Sequence, residues 1–144
     1  MVNRLTSEIF FRVPYAYELM SIETLNKIVK IKKTFSYQNQ CNKYREELIE
    51  FENALLNYHM NDKVVFGNYD SNLEEEVVYE IADCIITSLQ VNTYDFTMQY
   101  ILRNLDYHNV SIVKLLDISR LSKAITYKVE RTLRYIKEGK YEIR

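Results

Sequence analysis

Tyr44-Arg45-Glu46-Glu47-Leu48-Ile49-Glu50-Phe51-Glu52-Asn53-Ala54-Leu55-Leu56-Asn57-Tyr58 carries the reading that decides the fold. Tyr44, Leu48, Phe51, Leu55 and Tyr58 recur at i, i+4, i+7, i+11 and i+14, the spacing that puts them on one face of an α-helix. The spacing predicts a core-facing helix from about Ser36 to Tyr58. Residues 61 to 71, with Asp62, Gly67, Asn68 and Asp70, then read as a loop. Ser71-Asn72-Leu73-Glu74 has the composition and spacing of a capping box, and the helix it opens carries Leu73, Val77, Ile81, Cys84, Ile85 and Leu89 to an end near Val91-Asn92.

The rest of the chain agrees with a helical reading. Two glycines and one proline in 144 residues leave little material for the turns of a β-fold. Ser21 is a candidate N-cap for a helix to about Lys33, with Ile22, Leu25, Ile28, Val29 and Ile31 on its apolar side. Thr93 is a candidate cap for a further helix through Arg103, with Phe96, Tyr100 and Ile101 on its apolar side. Asp106 to Asn109 read as a break, after which Ile112 to Lys137 is one helix or two, stopped at Gly139. Residues 1 to 20 contain Pro14 and an apolar run without period, and read as an arm or short helix packed on the body or a partner. The expectation is an all-α bundle of four to five helices, with one domain over 21–144.

Nineteen basic against twenty acidic residues supply no net field for attracting nucleic acid or an anionic membrane. No apolar run reaches the length of a membrane span, and the first residues lack the order of a secretory signal. Cys41 and Cys84 have no metal-ligand companion, so a reducing, cytoplasmic setting is expected. Cys41, Cys84, His59 and His108 are assigned no role, the histidines having no partner at metal or catalytic spacing.

The chemistry lies in the carboxylates. Glu46, Glu47 and Glu50 share an arc of about 100° on their helix. Glu80 and Asp83 repeat the i, i+3 relation on the next helix, with Glu76 one turn earlier, and Asp83 stands inside Val77-Val78-Tyr79-Glu80-Ile81-Ala82-Asp83-Cys84-Ile85-Ile86. A buried carboxylate needs its charge compensated. An antiparallel helix pair would bring the two acidic faces together, where like charges about 4 Å apart repel by about 4 kcal/mol at an effective dielectric near 20. All-oxygen ligands suit Mg²⁺, or Mn²⁺ in its place, and such an ion binds phosphates. The competing reading is a set of salt bridges from these acids to Lys43, Arg45 or Arg131.

EExxE on one helix followed by ExxD on the next resembles the MazG-like, all-α nucleoside triphosphate pyrophosphohydrolases over about Gln38 to Leu89, and the segment Tyr127 to Leu133 resembles the basic helix that closes such proteins. The resemblance implies Mg²⁺-dependent hydrolysis of a nucleoside triphosphate to the monophosphate and pyrophosphate. It implies metal ligands at Glu47, Glu50, Glu80 and Asp83, with Glu46 as a second-metal ligand or as the base orienting water. Asn39 and Lys43 share the acidic face, and Lys128 and Arg131 match the basic tail; all four are candidates for binding substrate. The family is generally dimeric or tetrameric, which implies a homo-oligomer. The 29 residues between Glu50 and Glu80 and the lack of tryptophan depart from the family pattern. A noncatalytic helical interaction protein is the alternative. Nucleic-acid binding ranks third, resting on Lys123, Lys128, Arg131, Arg134, Lys137 and Lys140 against a near-neutral total charge.

Overall fold

A computed structural model describes residues 12–64 and 71–140, and these form seven α-helices with no strand among the described residues. We label them α1 (Ala16–Leu19), α2 (Ile22–Thr34), α3 (Tyr37–Val64), α4 (Ser71–Gln90), α5 (Tyr94–Tyr107), α6 (Ile112–Leu115) and α7 (Ile118–Lys137). Five are long; α1 and α6 are single turns. Residues 1–11 of the expected arm and the expected loop residues Gly67, Asn68 and Asp70 lie outside the described residues.

α4 is the central element, packed against α2, α3, α5, α6 and α7. Val77, Val78, Ile81, Ala82, Cys84, Ile85 and Ile86 are all buried, so most of its circumference is apolar and covered. The α3 face read from the sequence supplies Phe51, Leu55 and Tyr58 to the same core. The cross-links fix the relative direction of the two helices. Cys84 Sγ donates to the Glu47 carbonyl at 3.3 Å, and Tyr58 Oη donates to Glu74 Oε2 at 3.0 Å. Early α3 therefore meets late α4 and late α3 meets early α4, an antiparallel hairpin.

Three helix ends share one device. Asn92, Asn109 and Gly139 have φ of 60°, 56° and 71°, the left-handed conformation that Gly and Asn tolerate best. In each case the next backbone N–H reaches back to a carbonyl of the last turn: Thr93 to Ser88, Val110 to Leu105 and Lys140 to Tyr135. The 112–137 segment, left open as one helix or two, is divided. Asp117 accepts from the Arg120 backbone N–H and starts α7 afresh after Leu116.

Several boundaries differ from expectation. α3 runs to Val64, so residues 61–64 extend the helix instead of opening the loop; no Gly or Pro interrupts that stretch before Gly67. α5 runs one turn past Arg103 to Tyr107. Ser21 caps α2 as expected, accepting from the Thr24 N–H at 3.1 Å, but Ile22 is 77% exposed. Phe96 likewise points outward, because the buried stripe of α5 is Thr97, Met98, Ile101, Leu102 and Leu105. Glu74, read as half of a capping box, accepts from Tyr58 and Arg120, and the Ser71 half of that box lies outside the described residues. Leu19 and Met20, assigned to the arm, are in the core, and the Tyr94 hydroxyl ties the same segment down at the Pro14 carbonyl.

Candidate functional site

The α3–α4 hairpin turns both acidic arcs toward one seam, and α7 crosses above it. The result is a cavity of about 530 Å³ that all nine sequence-predicted residues line: Asn39, Lys43, Glu46, Glu47 and Glu50 from α3, Glu80 and Asp83 from α4, Lys128 and Arg131 from α7. Glu47, Glu80 and Asp83 form its inner group, with one carboxylate oxygen from each lying within 4.8 Å of the others. Glu50 and Glu46 are exposed at the rim, so Glu50 stands outside that compact group although it was expected to share it. Its side chain begins one turn beyond Glu47, on the more open part of the helix face. Glu76 is exposed and does not reach the cavity.

Cations hold part of this charge. Lys128 Nζ donates to Asp83 Oδ2 at 2.8 Å and stands 5.5 Å over the Tyr79 ring. Lys43 Nζ lies 2.9 Å from Glu47 Oε1 and 3.8 Å from Glu46 Oε2, the salt-bridge pattern of the competing reading. Arg131, expected in the same network, makes no salt bridge among the described residues. Its guanidinium lies 5.8 Å and 5.9 Å from the Tyr127 and Tyr135 rings, and its Nε is buried without a hydrogen-bond partner. Two further atoms are left over in the inner group. Glu47 Oε2 and Glu80 Oε2 are shielded from solvent and have no hydrogen-bond partner among the described residues.

The titration behaviour follows from this surplus of negative charge. Burial pushes Glu80 up to about 8, reinforced by the charges of Asp83, Glu47 and Glu50 and opposed by Lys128. Asp83 is raised by burial and by Glu47, against the hydrogen bond and charge of Lys128. Glu47 is raised by burial despite its bond to Lys43. Protons or a cation must relieve the cluster.

A hard divalent cation fits the donor set. The oxygens are the ligands such ions prefer, and two are buried and unpaired. Mg²⁺ bound at about 2.1 Å spans at most about 4.2 Å between ligands, so the 4.8 Å triad would need only a small side-chain closure.

Other lining residues were not foreseen. Thr87 and Gln90 follow Asp83 by four and seven residues, and Gln40 precedes Glu47 by seven, so helical spacing could have found all three. Gln40 Nε2 donates to the carbonyls of Lys32, Phe35 and Ser36, holding the α2–α3 turn against the cavity. Ile31 and Phe35 of that segment form an apolar wall that no spacing on α3 or α4 indicates. Outside the cavity, His59 and His108, read as isolated, pack edge-on with ring centroids 5.0 Å apart, because the fold brings late α3 beside the end of α5.

No protein-family model, curated protein or solved structure matches the chain. No helix among the described residues is long and apolar enough to cross a membrane.

Proposed function

We propose that the chain is a Mg²⁺-dependent nucleoside triphosphate pyrophosphohydrolase that releases pyrophosphate and the nucleoside monophosphate. The observation that carries this reading is the largely buried group of Glu47, Glu80 and Asp83, with two unpaired carboxylate oxygens, facing Lys128 and Arg131 across one cavity with Lys43 beside it on α3. Acid on one wall and base on the other suits a metal-bridged phosphate better than either partner alone. A volume of about 530 Å³ falls in the range of small-ligand sites.

Glu47, Glu80 and Asp83 hold the cation, and Glu50 joins from the rim. When bound, Mg²⁺ (or Mn²⁺) neutralises charge on the phosphate oxygens and makes water more acidic. Exposed Glu46, drawn only weakly to Lys43 at 3.8 Å, orients the attacking water and takes its proton. Lys128 and Arg131 meet the polyphosphate from above, Arg131 with its guanidinium already free of carboxylate partners. Asn39 reaches it from α3, as does Lys43 once the cation takes its place at Glu47. The apolar wall of Ile31 and Phe35 receives the base. A homo-oligomer, dimer or tetramer, belongs to the same reading, with exposed Tyr107 and Val113 available to an interface.

The test is pyrophosphate release from a panel of dNTPs and NTPs, with and without Mg²⁺. Turnover that requires the metal is expected, and no release from any nucleotide overturns the proposal.

The Lys43–Glu47 and Lys128–Asp83 pairs favour a second reading, a noncatalytic helical interaction protein whose acids are structural salt bridges. On that reading neither Mg²⁺ nor Mn²⁺ raises the melting temperature, whereas a metal site raises it by mass action.

A further inference from the structure

The formal charge of -1 conceals a separation. α2 and α7, with the residues that follow to Lys140, contain eleven of the nineteen basic residues and only three of the twenty acidic ones. The rest of the chain therefore holds eight basic against seventeen acidic residues. α2 packs directly on α7, so the basic residues gather on one side of the fold. A net charge near zero is no measure of the field at such a face.

The arrangement along α7 is ordered. Lys123, Tyr127, Glu130, Arg134 and Lys137 follow one another at i, i+4, i+7, i+11 and i+14, and all five are exposed. Lys27 of α2 neutralises Glu130. Lys30, Lys33, Lys123, Arg134 and Lys137 make no ion pair among the described residues. Between the helices runs a groove of about 440 Å³ with Lys30 and Thr34 on one bank and Glu130, Leu133, Arg134, Ile136 and Lys137 on the other. One tyrosine, Tyr127, lies in this stripe and is 52% exposed; half-buried Tyr135 is turned about 120° away on the Arg131 side.

We propose that this α2–α7 face binds single-stranded nucleic acid, with phosphates along the row of cations and a base against Tyr127. From Lys123 to Lys137 the stripe is about 21 Å long, enough for several nucleotides. A cationic track beside an exposed aromatic ring is chemistry that grips a strand without reading its sequence, since every base has a face to stack. A duplex hides those faces. A membrane-binding face would need a row of exposed apolar side chains; Leu133 and Ile136 line the groove half-buried, and the exposed stripe carries three cations, Glu130 and one tyrosine. Lys128 and Arg131 of the acidic cavity point about 100° around α7 from the stripe, and although Arg131 lies 5.8 Å from the Tyr127 ring, Glu80→Gln alters the cavity without touching that ring and so tests the two proposals separately.

Fluorescence anisotropy of the full chain with a labelled mixed-sequence oligonucleotide of about 20 residues tests the idea. Binding is expected to weaken with salt at a log–log slope of about -0.7 per neutralised phosphate. The double substitution R134E/K137E, on exposed positions, should lower affinity at least about tenfold and flatten the slope by about 1.4. Tyr127→Ala should weaken strand binding by about fivefold or more. Arg103→Glu, on α5, and Glu80→Gln, in the cavity, should leave it unchanged. Circular-dichroism melts matching the unaltered chain establish that the variants fold. The proposal is overturned if no binding occurs at about 50 mM salt, or if R134E/K137E binds as before. It is equally overturned if a duplex or dextran sulfate binds as tightly as the strand, or if the protein sediments with phosphatidylserine vesicles and ignores the oligonucleotide.

Discussion

Glu74 and Glu80 stand less than two turns apart on α4, both turned away from bulk solvent, and their surroundings differ in one respect. At Glu74 the charge is matched: Oε2 accepts from Tyr58, Oε1 accepts from Arg120 at 2.6 Å, and Arg120 extends its other nitrogen to Glu75 at 3.0 Å. At Glu80 three carboxylates converge while two lysines satisfy only Asp83 and one oxygen of Glu47. A buried acid is therefore no sign of function by itself. What separates the two here is the negative charge and the unpaired oxygens that remain at Glu80 and Glu47 among the described residues.

The largest expected consequence is at Glu80. Glu80→Gln should cut Mg²⁺-dependent pyrophosphate release by about 10²–10³-fold while leaving the metal-free protein as stable as before or more so, since it removes like-charge repulsion. Steady-state rates and thermal melts on one preparation check both halves. Glu74→Ala should do the reverse, costing about 3 kcal/mol in urea unfolding by stranding Arg120 and Tyr58, yet preserving the response to metal. If the two variants behave alike, the distinction between the sites is lost.

Mg²⁺ at a hundred times its dissociation constant should stabilise the protein by about 2.7 kcal/mol, read as a rise in Tm that Glu80→Gln abolishes. The smallest effect is on pH. Glu80 titrates at about 8 in the folded chain against 4.5 for an ordinary glutamate, so the folded state holds the proton more tightly. That contribution is complete below about pH 4.5 and is lost as pH rises toward 8. Metal-free stability should fall across this window and the slope should flatten in Glu80→Gln. Metal affinity should run the other way, rising with pH as the ion displaces the proton; chemical melts at pH 5 and 8, with EDTA or Mg²⁺, measure both trends.

Much of the architecture is legible along the chain because helices are governed by local spacing. The stripe from Tyr44 to Tyr58, the Ser21 cap, and the left-handed Asn92, Asn109 and Gly139 are all properties of a few neighbouring residues. The same locality makes the acidic arcs of α3 and α4 visible, and helical spacing extends to Thr87 and Gln90 for a reader who continues past Asp83. It misleads at Ile22 and Phe96, where periodicity cannot say which side another helix will cover.

Other features have no local signature. Pairing of Lys128 with Asp83 joins residues 45 apart, and Glu74 with Arg120 joins residues 46 apart. The basic face of α2 and α7 is invisible in a total charge of -1 and arises when two helices far apart in sequence pack side by side. The amino-acid order alone set the helical class, most helix ends and the two acidic arcs, since each depends on hydrogen bonds and side chains within a few turns. Only the packed structure decided which carboxylates remain unpaired and where positive charge accumulates, because electrostatic energy depends on distance through space and on exclusion of water, and neither is a function of separation along the chain.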